Sequence, residues 1–338
     1  MIVLGLTNQS GNWLRSEGWS GCGYHRILNP LGSMKGIQGL VADEIGEDTE
    51  IDILIYNRVS QYDENWDAIK EKYHCKIILD LDDYWRNIPL IIRHDESDIM
   101  ADRIENNIKK ADLVIVTNSF LAEKALQFNP NVCIIENGLP YGETQYTSDK
   151  IYSDKVRIFW AGSYSHVTDM SLLKNPMNKL LCHKDKIEVV IGGYDERSKN
   201  VWDIIVSNLT VGKKLPYRTL STKNIFSYMD LYKEADIMVI PLEDTVFNHG
   251  KSNLKLLEAA SKKLPVIISN QYPYSVDKDA PVLWVNSQKD WFTHLNYLIL
   301  NPSVRKEMGE KLYNWACIKY NLDLQNKKRY LAFKYVLN

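Results

Sequence analysis

The chain has 338 residues, with 41 Lys and Arg against 43 Asp and Glu, for a formal net charge of −2. That length predicts two domains, each able to bury its own core. The charge balance excludes an overall basic field that would by itself demand nucleic acid or an anionic membrane, and leaves a local basic patch open. Cys22, Cys75, Cys133, Cys182 and Cys317 show no C-x-x-C spacing, which speaks against a disulfide framework or zinc site and for a reducing compartment. The first residues, Met1-Ile-Val-Leu-Gly-Leu-Thr7, lack a basic leader, and no apolar run approaches the ~18 residues of a membrane span. A cytoplasmic protein is expected.

Strand signals alternate with helical ones along the whole chain, the pattern of α/β architecture. Residues 2–7 read as the first strand. A polar, Gly-rich loop with Trp13 and Trp19 follows, and leads through Gly21 and Gly23 into Tyr24-His25-Arg26-Ile27. A glycine loop there lets backbone approach a ligand at the carboxyl edge of a sheet, although G-x-G-x-x-G is not met. Residues 51–56 and 75–81 read as strands on either side of a helix over 64–73. The second runs into Asp80-Leu-Asp-Asp-Tyr-Trp85, so Asp80, Asp82 and Asp83 fall just past a strand's carboxyl end, where ligands bind. A carboxylate there serves as general base or acceptor ligand. Capping, salt bridging or Mg²⁺ binding are the other readings. Next come a helix over 98–111 with Ile104, Ile108 and Ala111 on one face, a strand over 112–117, a helix from about Phe120, and a strand over 132–136. Asn137-Gly138 follows, and the polar stretch 141–150 reads as a linker.

Residues 156–160 restart the pattern and end in Ala161-Gly-Ser-Tyr-Ser-His-Val-Thr-Asp169. A Gly162-Ser163 turn before a helix with Thr168 or Asp169 in its first turn is a ready anion site. There His166 acts as a local cap or as a donor to a phosphate or sugar oxygen. Strands are expected over 187–193 and 215–220, and a helix over 223–235. The apolar run 237–241, a loop, a helix beginning at Lys251 and the run 266–268 then form a strand–loop–helix–strand unit. On that helix Lys251, Lys255 and Glu258 fall at i, i+4 and i+7, within about 60° of one another, as one polar stripe, with Leu254 and Leu257 toward the core. Two cations, a helix amino end and a carboxylate one turn further in suit a nucleoside diphosphate. The N–H groups and lysines take the phosphates and the Glu takes ribose hydroxyls. A surface helix with spaced charge pairs is the alternative. Residues 282–285 read as the last strand. From Gln288 the pattern is helical to the end, broken at Asn301-Pro302 and near Asn321. The aromatics Tyr320, Tyr330, Phe333 and Tyr335 suit packing back on the first domain.

Five features together resemble nucleotide-sugar glycosyltransferases of the GT-B fold: the Gly21/Gly23 loop, Ile135-Glu-Asn-Gly138, A-G-S-x-x-H-x-x-D at 161–169, A-D-I-M-V-I-P-L at 235–242, and L-K-L-L-E-A-A-S-K-K-L-P-V-I at 254–267. The resemblance covers essentially the whole chain and is strongest over 156–269. G-C-G-Y-H-R, D-L-D-D-Y-W and K-S-N-L-K-L-L-E also look like glycosyltransferases of tailed bacteriophages. The resemblance implies two Rossmann-like domains facing a central cleft: an acceptor domain over 1–145, a donor domain over 151–320, and a helix over 321–338 packing back on the first. Glu258 then holds the donor ribose, and Lys251 and Lys255 the diphosphate. Gly23, Arg26, Gly162, Ser163, Asn248, Ser252 and Asn253 complete the donor set, and Asp82, Asp83 and His166 are the catalytic candidates. Many retaining members carry two Glu eight positions apart, and here Gly250 stands at the first. Asn248, His249 or the backbone of 251–253 is left to contact the donor sugar.

The expected activity moves a hexose or pentose from a nucleotide-diphosphate donor, UDP-sugar favoured, to a hydroxyl, with no metal or cofactor required. A hydroxymethylated pyrimidine in phage DNA is one acceptor, gripped as a flipped nucleotide by Lys109, Lys110 and the Trp13/Trp19 loop. A surface polysaccharide or lipid-linked glycan is the other. A non-catalytic DNA or glycan reader, an epimerase or a phosphorylase would use the same fold.

Overall fold

Runs such as Ile53-Leu-Ile-Tyr-Asn57 and Ile237-Met-Val-Ile240 are buried at every position. Strands apolar on both faces belong in parallel sheets covered by helices on both sides. The computed structural model describes residues 1–7 and 20–338, and has two such sheets. The loop carrying Trp13 and Trp19 lies outside the described residues.

The chain divides into two units. The first comprises Met1–Gly138, His249–Ser252 and Tyr320–Asn338. Its six parallel strands are β1 (Ile2–Leu6), β2 (Gln38–Ala42), β3 (Ile53–Asn57), β4 (Lys76–Leu81), β5 (Leu113–Val116) and β6 (Val132–Ile134), in the order β2-β1-β3-β4-β5-β6. Successive strands switch to the other side of β1 at β3, and the two register Leu4 against Leu54 in parallel. Helical structure runs from α1 (Gly21–Gly23) through a π turn (Tyr24–Leu28) to α2 (Asn29–Ser33), and is followed by α3 (Trp66–Tyr73), α4 (Ser97–Lys110) and α5 (Ser119–Ala125). One face of the sheet buries Leu54, Ile77, Leu79 and Val114 under Trp66, Ile104 and Ile108. The other buries Val3, Ile53, Ile55 and Ile78 under Ile27, Leu31 and Phe333.

The second unit comprises Leu139–Asn248 and Asn253–Lys319. Its strands are β7 (Val156–Ala161), β8 (Ile187–Tyr194), β9 (Tyr217–Ser221), β10 (Ile237–Ile240), β11 (Val266–Ser269) and β12 (Leu283–Val285), in the order β12-β11-β10-β7-β8-β9. Read from β9, that is the 3-2-1-4-5-6 order of the doubly wound dinucleotide-binding fold. The helices are α6 (Ser171–Lys179), α7 (Lys199–Thr210), α8 (Val246–His249), α9 (Leu254–Ser261), α10 (Gln288–Leu300) and α11 (Pro302–Lys319). The last helix, α12 (Leu322–Leu337), belongs to the first unit, where Phe333 is fully buried.

Several expectations need correction. The stretch 141–150 is bound into the second unit rather than being a linker. Gln145 donates to the Ile225 carbonyl and accepts from Met229 N–H, Tyr146 is buried, and Asp149 pairs with Lys233 and Lys262. Strand β2 and helix α7 have no counterpart in the sequence reading. The helix expected over 223–235 is present over 225–234, in 3₁₀ form. Tyr335 is 68 % exposed, so it faces solvent and only the other side of α12 packs.

Candidate functional site

In the second unit, successive strands switch to the other side of β7 at β10, which pairs beside it in parallel. Ligands bind outside the carboxyl ends of the strands at such a switch point. The loops leaving those two strands meet in a polar web. After β7, Gly162 and Ser163 lead into a 3₁₀ turn, Tyr164–His166. His166 is buried and its Nδ1 lies 2.7 Å from Asp169 Oδ2. Asp169 Oδ1 accepts from Glu243 N–H, after β10, at 2.8 Å and from Asn248 Nδ2 at 3.0 Å. The other His166 nitrogen, Nε2, is 3.1 Å from Lys255 Nζ. A carboxylate on Nδ1 fixes the proton there, which leaves Nε2 as an acceptor for the ammonium. The lysine is thereby oriented without its charge being cancelled by the imidazole. Gly162 makes this possible, because a Cβ there would come within 3.3 Å of Lys255 Cε and Nζ. Gly193 takes φ +90° and passes so close that a Cβ would lie 2.5 Å from the Gly162 carbonyl.

Helix α9 supplies Lys255 in its first turn and Glu258 in its second. Glu258 is 4 % exposed and accepts from Tyr232 Oη at 2.6 Å. Burial pushes its carboxyl up to about 7, against the opposing pull of Tyr232 and Lys255. Residues 256–261 are all buried, so α9 is a core helix with only its amino end partly open.

The polar stripe of Lys251, Lys255 and Glu258 does not form. α9 begins at Leu254, with Asn253 at its cap position, and Lys251 precedes it. His249–Ser252 belong to the first unit. There Asn118 Nδ2 donates to the His249 and Lys251 carbonyls, at 3.2 and 2.9 Å. Asn137 Nδ2 donates to Ser252 Oγ at 2.9 Å, and Lys251 Nζ sits 3.1 Å from Asp83 Oδ1. Gly250 packs against the Tyr84 backbone, where a Cβ would lie 2.6 Å from Tyr84 N. No side chain fits at 250, so the absent glutamate could not be accommodated there. Asn248 and Asn253, expected to meet the donor, have amides engaged by Asp169 and the Glu243 carbonyl and by Asp277. Ser163 is exposed at the turn, with its hydroxyl 2.6 Å from Ser165 Oγ.

In the first unit, Arg26 and Asp80 are both buried and form a bidentate pair at 2.8 and 2.9 Å. Arg26 also donates to Asn137 Oδ1 and the Ile135 carbonyl. Four of its donor bonds are thus spent on joining the glycine-loop helix to the ends of β4 and β6, and its role is to brace the loop rather than to reach a donor. Gly23 is buried and its N–H donates to Ser20 Oγ. Arg58 follows β3 with φ +60° and gathers the acidic cluster, with Nη2 2.9 Å from Asp82 and 2.6 Å from Asp83. Burial pushes the Asp82 carboxyl up, but Arg58, Cys22 and Arg26 together hold it well below the usual carboxylate range. A carboxyl so depressed is a weak proton acceptor. Among the described residues no group of three His, Cys, Asp or Glu is arranged around a common metal position. Lys109 and Lys110 end α4, next to Asp112 at the amino end of β5, on the opposite edge of the sheet from Asp82 and Asp83.

Arg58 and Tyr232 were not singled out by the sequence, and Asp169 and Asn137 stood out only within their motifs, without the partners they hold here. Asn57-Arg58 directly follows an apolar strand, the same signal that marked Asp80, Asp82 and Asp83. Tyr232 carried no such signal, because its meeting with Glu258 depends on the packing of a 3₁₀ helix.

No family model matches the chain, and no curated protein matches it. Solved structures do. Sucrose-phosphate synthase from Thermosynechococcus elongatus superposes with a TM-score of 0.66 at 12 % identity, over 99 % of this chain and 98 % of that one. Anabaena HepE in complex with UDP-glucose gives 0.66 at 11 % identity, over 99 % and 100 %. S. aureus TarM, in complex with fondaparinux, alpha-GlcNAc-glycerol and UDP, gives 0.58 at 13 % identity over 83 % of this chain, which spans 55 % of the TarM chain. At such identities the likeness is one of architecture, and with two six-stranded parallel sheets in two Rossmann-like units, the chain has the GT-B fold.

Proposed function

We propose that the protein is a glycosyltransferase that moves a sugar from a nucleotide-diphosphate donor, UDP-sugar by preference, to an acceptor hydroxyl. The observation that carries this reading is the switch-point web of the second unit: an ammonium held beside the His166 imidazole at the amino end of α9, with a buried carboxyl one turn further along. Lys255 and the first N–H groups of α9 take the diphosphate. As the bond between sugar and phosphate breaks, negative charge grows on the departing diphosphate. Groups already aimed at it stabilise that charge more than they stabilise the bound donor. His166 and Asp169 act as positioning residues for Lys255, and Glu258 accepts hydrogen bonds from the donor ribose in place of Tyr232. This reading calls for no resident cofactor. Its support from outside the chain is that HepE and TarM, which share the fold, were solved with UDP-glucose and with UDP.

For the acceptor we favour a saccharide or lipid-linked glycan over a DNA base. The DNA reading leaned on Lys109 and Lys110, and these stand at the wrong edge of the sheet to serve Asp82 and Asp83. In this reading Asp82 fixes Arg58, and Asp83, held by Arg58 and Lys251, turns a remaining lone pair to an acceptor hydroxyl.

Binding is tested by the thermal shift that UDP produces, and turnover by a screen of donors with product mass and nucleotide-diphosphate release as readouts. No shift with any nucleotide would refute donor binding. A shift without diphosphate release on any donor and acceptor would leave a binding protein on this fold instead.

A further inference from the structure

Helix α12 has an outer face that its packing in the first unit does not account for. The inner face is spent on the core, with Leu322, Asn326, Arg329 and Phe333 buried. On the outside, Leu324, Lys328, Leu331 and Tyr335 follow one another at i, i+4, i+7 and i+11, a single stripe. Leu331 is 66 % exposed and Tyr335 68 %, and exposed Lys327 and Lys334 flank them. The stripe continues onto the edge strand β6, where Ile134 is also exposed. Two adjoining grooves share Pro130, Asn131 and Tyr335. One, of about 420 Å³, is walled by Ile134 and Leu331, and the other, of about 640 Å³, by Lys70, Lys76, Lys109 and Lys110. Lys328 lines the first groove, so the pair is lined by five lysines and one side-chain carboxylate, Asp112, which pairs with Lys70 at 3.1 Å. At the margin Asp67 and Glu136 each engage one of these lysines.

We propose that this face docks reversibly on an anionic lipid bilayer, with Leu331, Tyr335 and Ile134 entering the headgroup layer and the lysines meeting lipid phosphates. Scattered exposed leucines need no explanation. Exposed Leu331, Tyr335 and Ile134 gathered at one groove and bordered by lysines do, and they match the composition of surfaces that lie in a membrane interface. Charge complementarity selects this occupant. A nucleic acid would use the lysines and leave Leu331 and Ile134 in water. An uncharged apolar partner would cover the stripe and strand the lysines. A bilayer of anionic lipid satisfies both. Among the described residues no helix is long and apolar enough to cross a membrane, so the attachment is to the surface. The face is independent of the donor site, and holds whether or not the transferase reading does.

The test sediments the full chain with vesicles of phosphatidylcholine alone and of phosphatidylcholine mixed with phosphatidylglycerol. Expected is binding at least about tenfold tighter to the mixed vesicles, weakening as salt rises. Leu331→Glu with Tyr335→Glu should abolish it, and Lys327→Glu with Lys334→Glu should weaken it about tenfold. Both pairs should keep the melting temperature and the UDP-induced shift of the parent, which separates loss of docking from loss of fold. Equal binding to the two vesicle types, no binding, or indifference to the Leu331/Tyr335 pair overturns the proposal. So does tighter binding to duplex DNA than to mixed vesicles, or a dimer in solution that Leu331→Glu dissociates, since either result gives the face to another occupant.

Discussion

Glu258→Gln probes the second unit where its electrostatics are most perturbed. The Glu258 carboxyl is buried and pushed up to about 7 from an ordinary 4.5. The folded state therefore binds this proton more tightly than the unfolded chain does. Its contribution to stability is fully present below about pH 4.5 and is lost as pH rises through about 7. Going from 4.5 to about 7, at about 1.4 kcal/mol for each tenfold in proton affinity, amounts to about 3 kcal/mol. An amide of the same shape cannot ionise, and its Oε1 can still accept from Tyr232. Apart from a constant offset, the variant should match the parent near pH ~4 and gain up to about 3 kcal/mol on it near pH ~8. For a domain of this size that is about 6–12 °C in melting temperature, read by calorimetry across the pH range. Ligand binding should move oppositely. If ribose hydroxyls donate to the carboxylate, the parent loses UDP affinity below about pH 7 more steeply than the variant, whose pH dependence reports only the ligand's own phosphate. Parallel stability curves for the two proteins would refute the account of Glu258 as a buried, proton-hungry carboxyl. A UDP affinity unchanged by the substitution at every pH would refute its contact with the donor.

Lys255→Ala should remove most of the thermal shift produced by UDP, whereas Lys251→Ala, which breaks the pair with Asp83 in the first unit, should retain at least half of it. Gly250→Ala places a methyl group against the Tyr84 backbone and should cost about 1–3 kcal/mol by denaturant unfolding, with Gly250→Glu no better tolerated. Asp80→Asn leaves Arg26 buried without its carboxylate, and Arg329, also buried, without the same nearby charge. It should lower stability by about 3–5 kcal/mol, while a double change of Arg26 and Asp80 to apolar residues of similar size should recover much of that loss.

Much of the architecture was legible because of how parallel strands are buried. The runs at 53–57, 76–81, 156–161, 187–194, 237–240 and 266–269 are covered on both faces, and so read as continuous apolar segments. Strand β2 is half exposed, includes a glycine and runs along the edge of its sheet, so no run announces it. The breaks at Asn301-Pro302 and Asn321 were readable from chemistry, since a proline opens α11 and the Asn321 side chain accepts from Asp323 N–H at the start of α12. The start of α9 was misread for an instructive reason. Lys251, Lys255 and Glu258 satisfy a helical template, but Ser252 and Asn253 between them are of the types that favour helix starts, and Asn253 stands at the cap position, its amide donating to Asp277. Glu258 was placed on a polar face for the same reason. Once the helix begins at Leu254, the carboxyl falls among Leu256, Leu257, Ala259 and Ala260, and only burial by the surrounding unit shows it to be internal.

The stretch from Asn248 to Asn253 shows why the missing glutamate is not a simple defect. Its ends are tied to the second unit by Asn248 to Asp169 and by Asn253 to Asp277. Its middle is held in the first unit by Asn118, Asn137 and Asp83. Gly250 is the residue whose lack of a Cβ lets the backbone lie against Tyr84. A glutamate at that position would project a carboxylate and two methylenes into space the Tyr84 backbone already fills. Here glycine fixes a main-chain path, and in the proposed reading the cation for a diphosphate is Lys255, which His166 aims and for which Gly162 leaves room. The amides of Asn248 and Asn253 are already engaged, and the main-chain path between them depends on Gly250 remaining glycine.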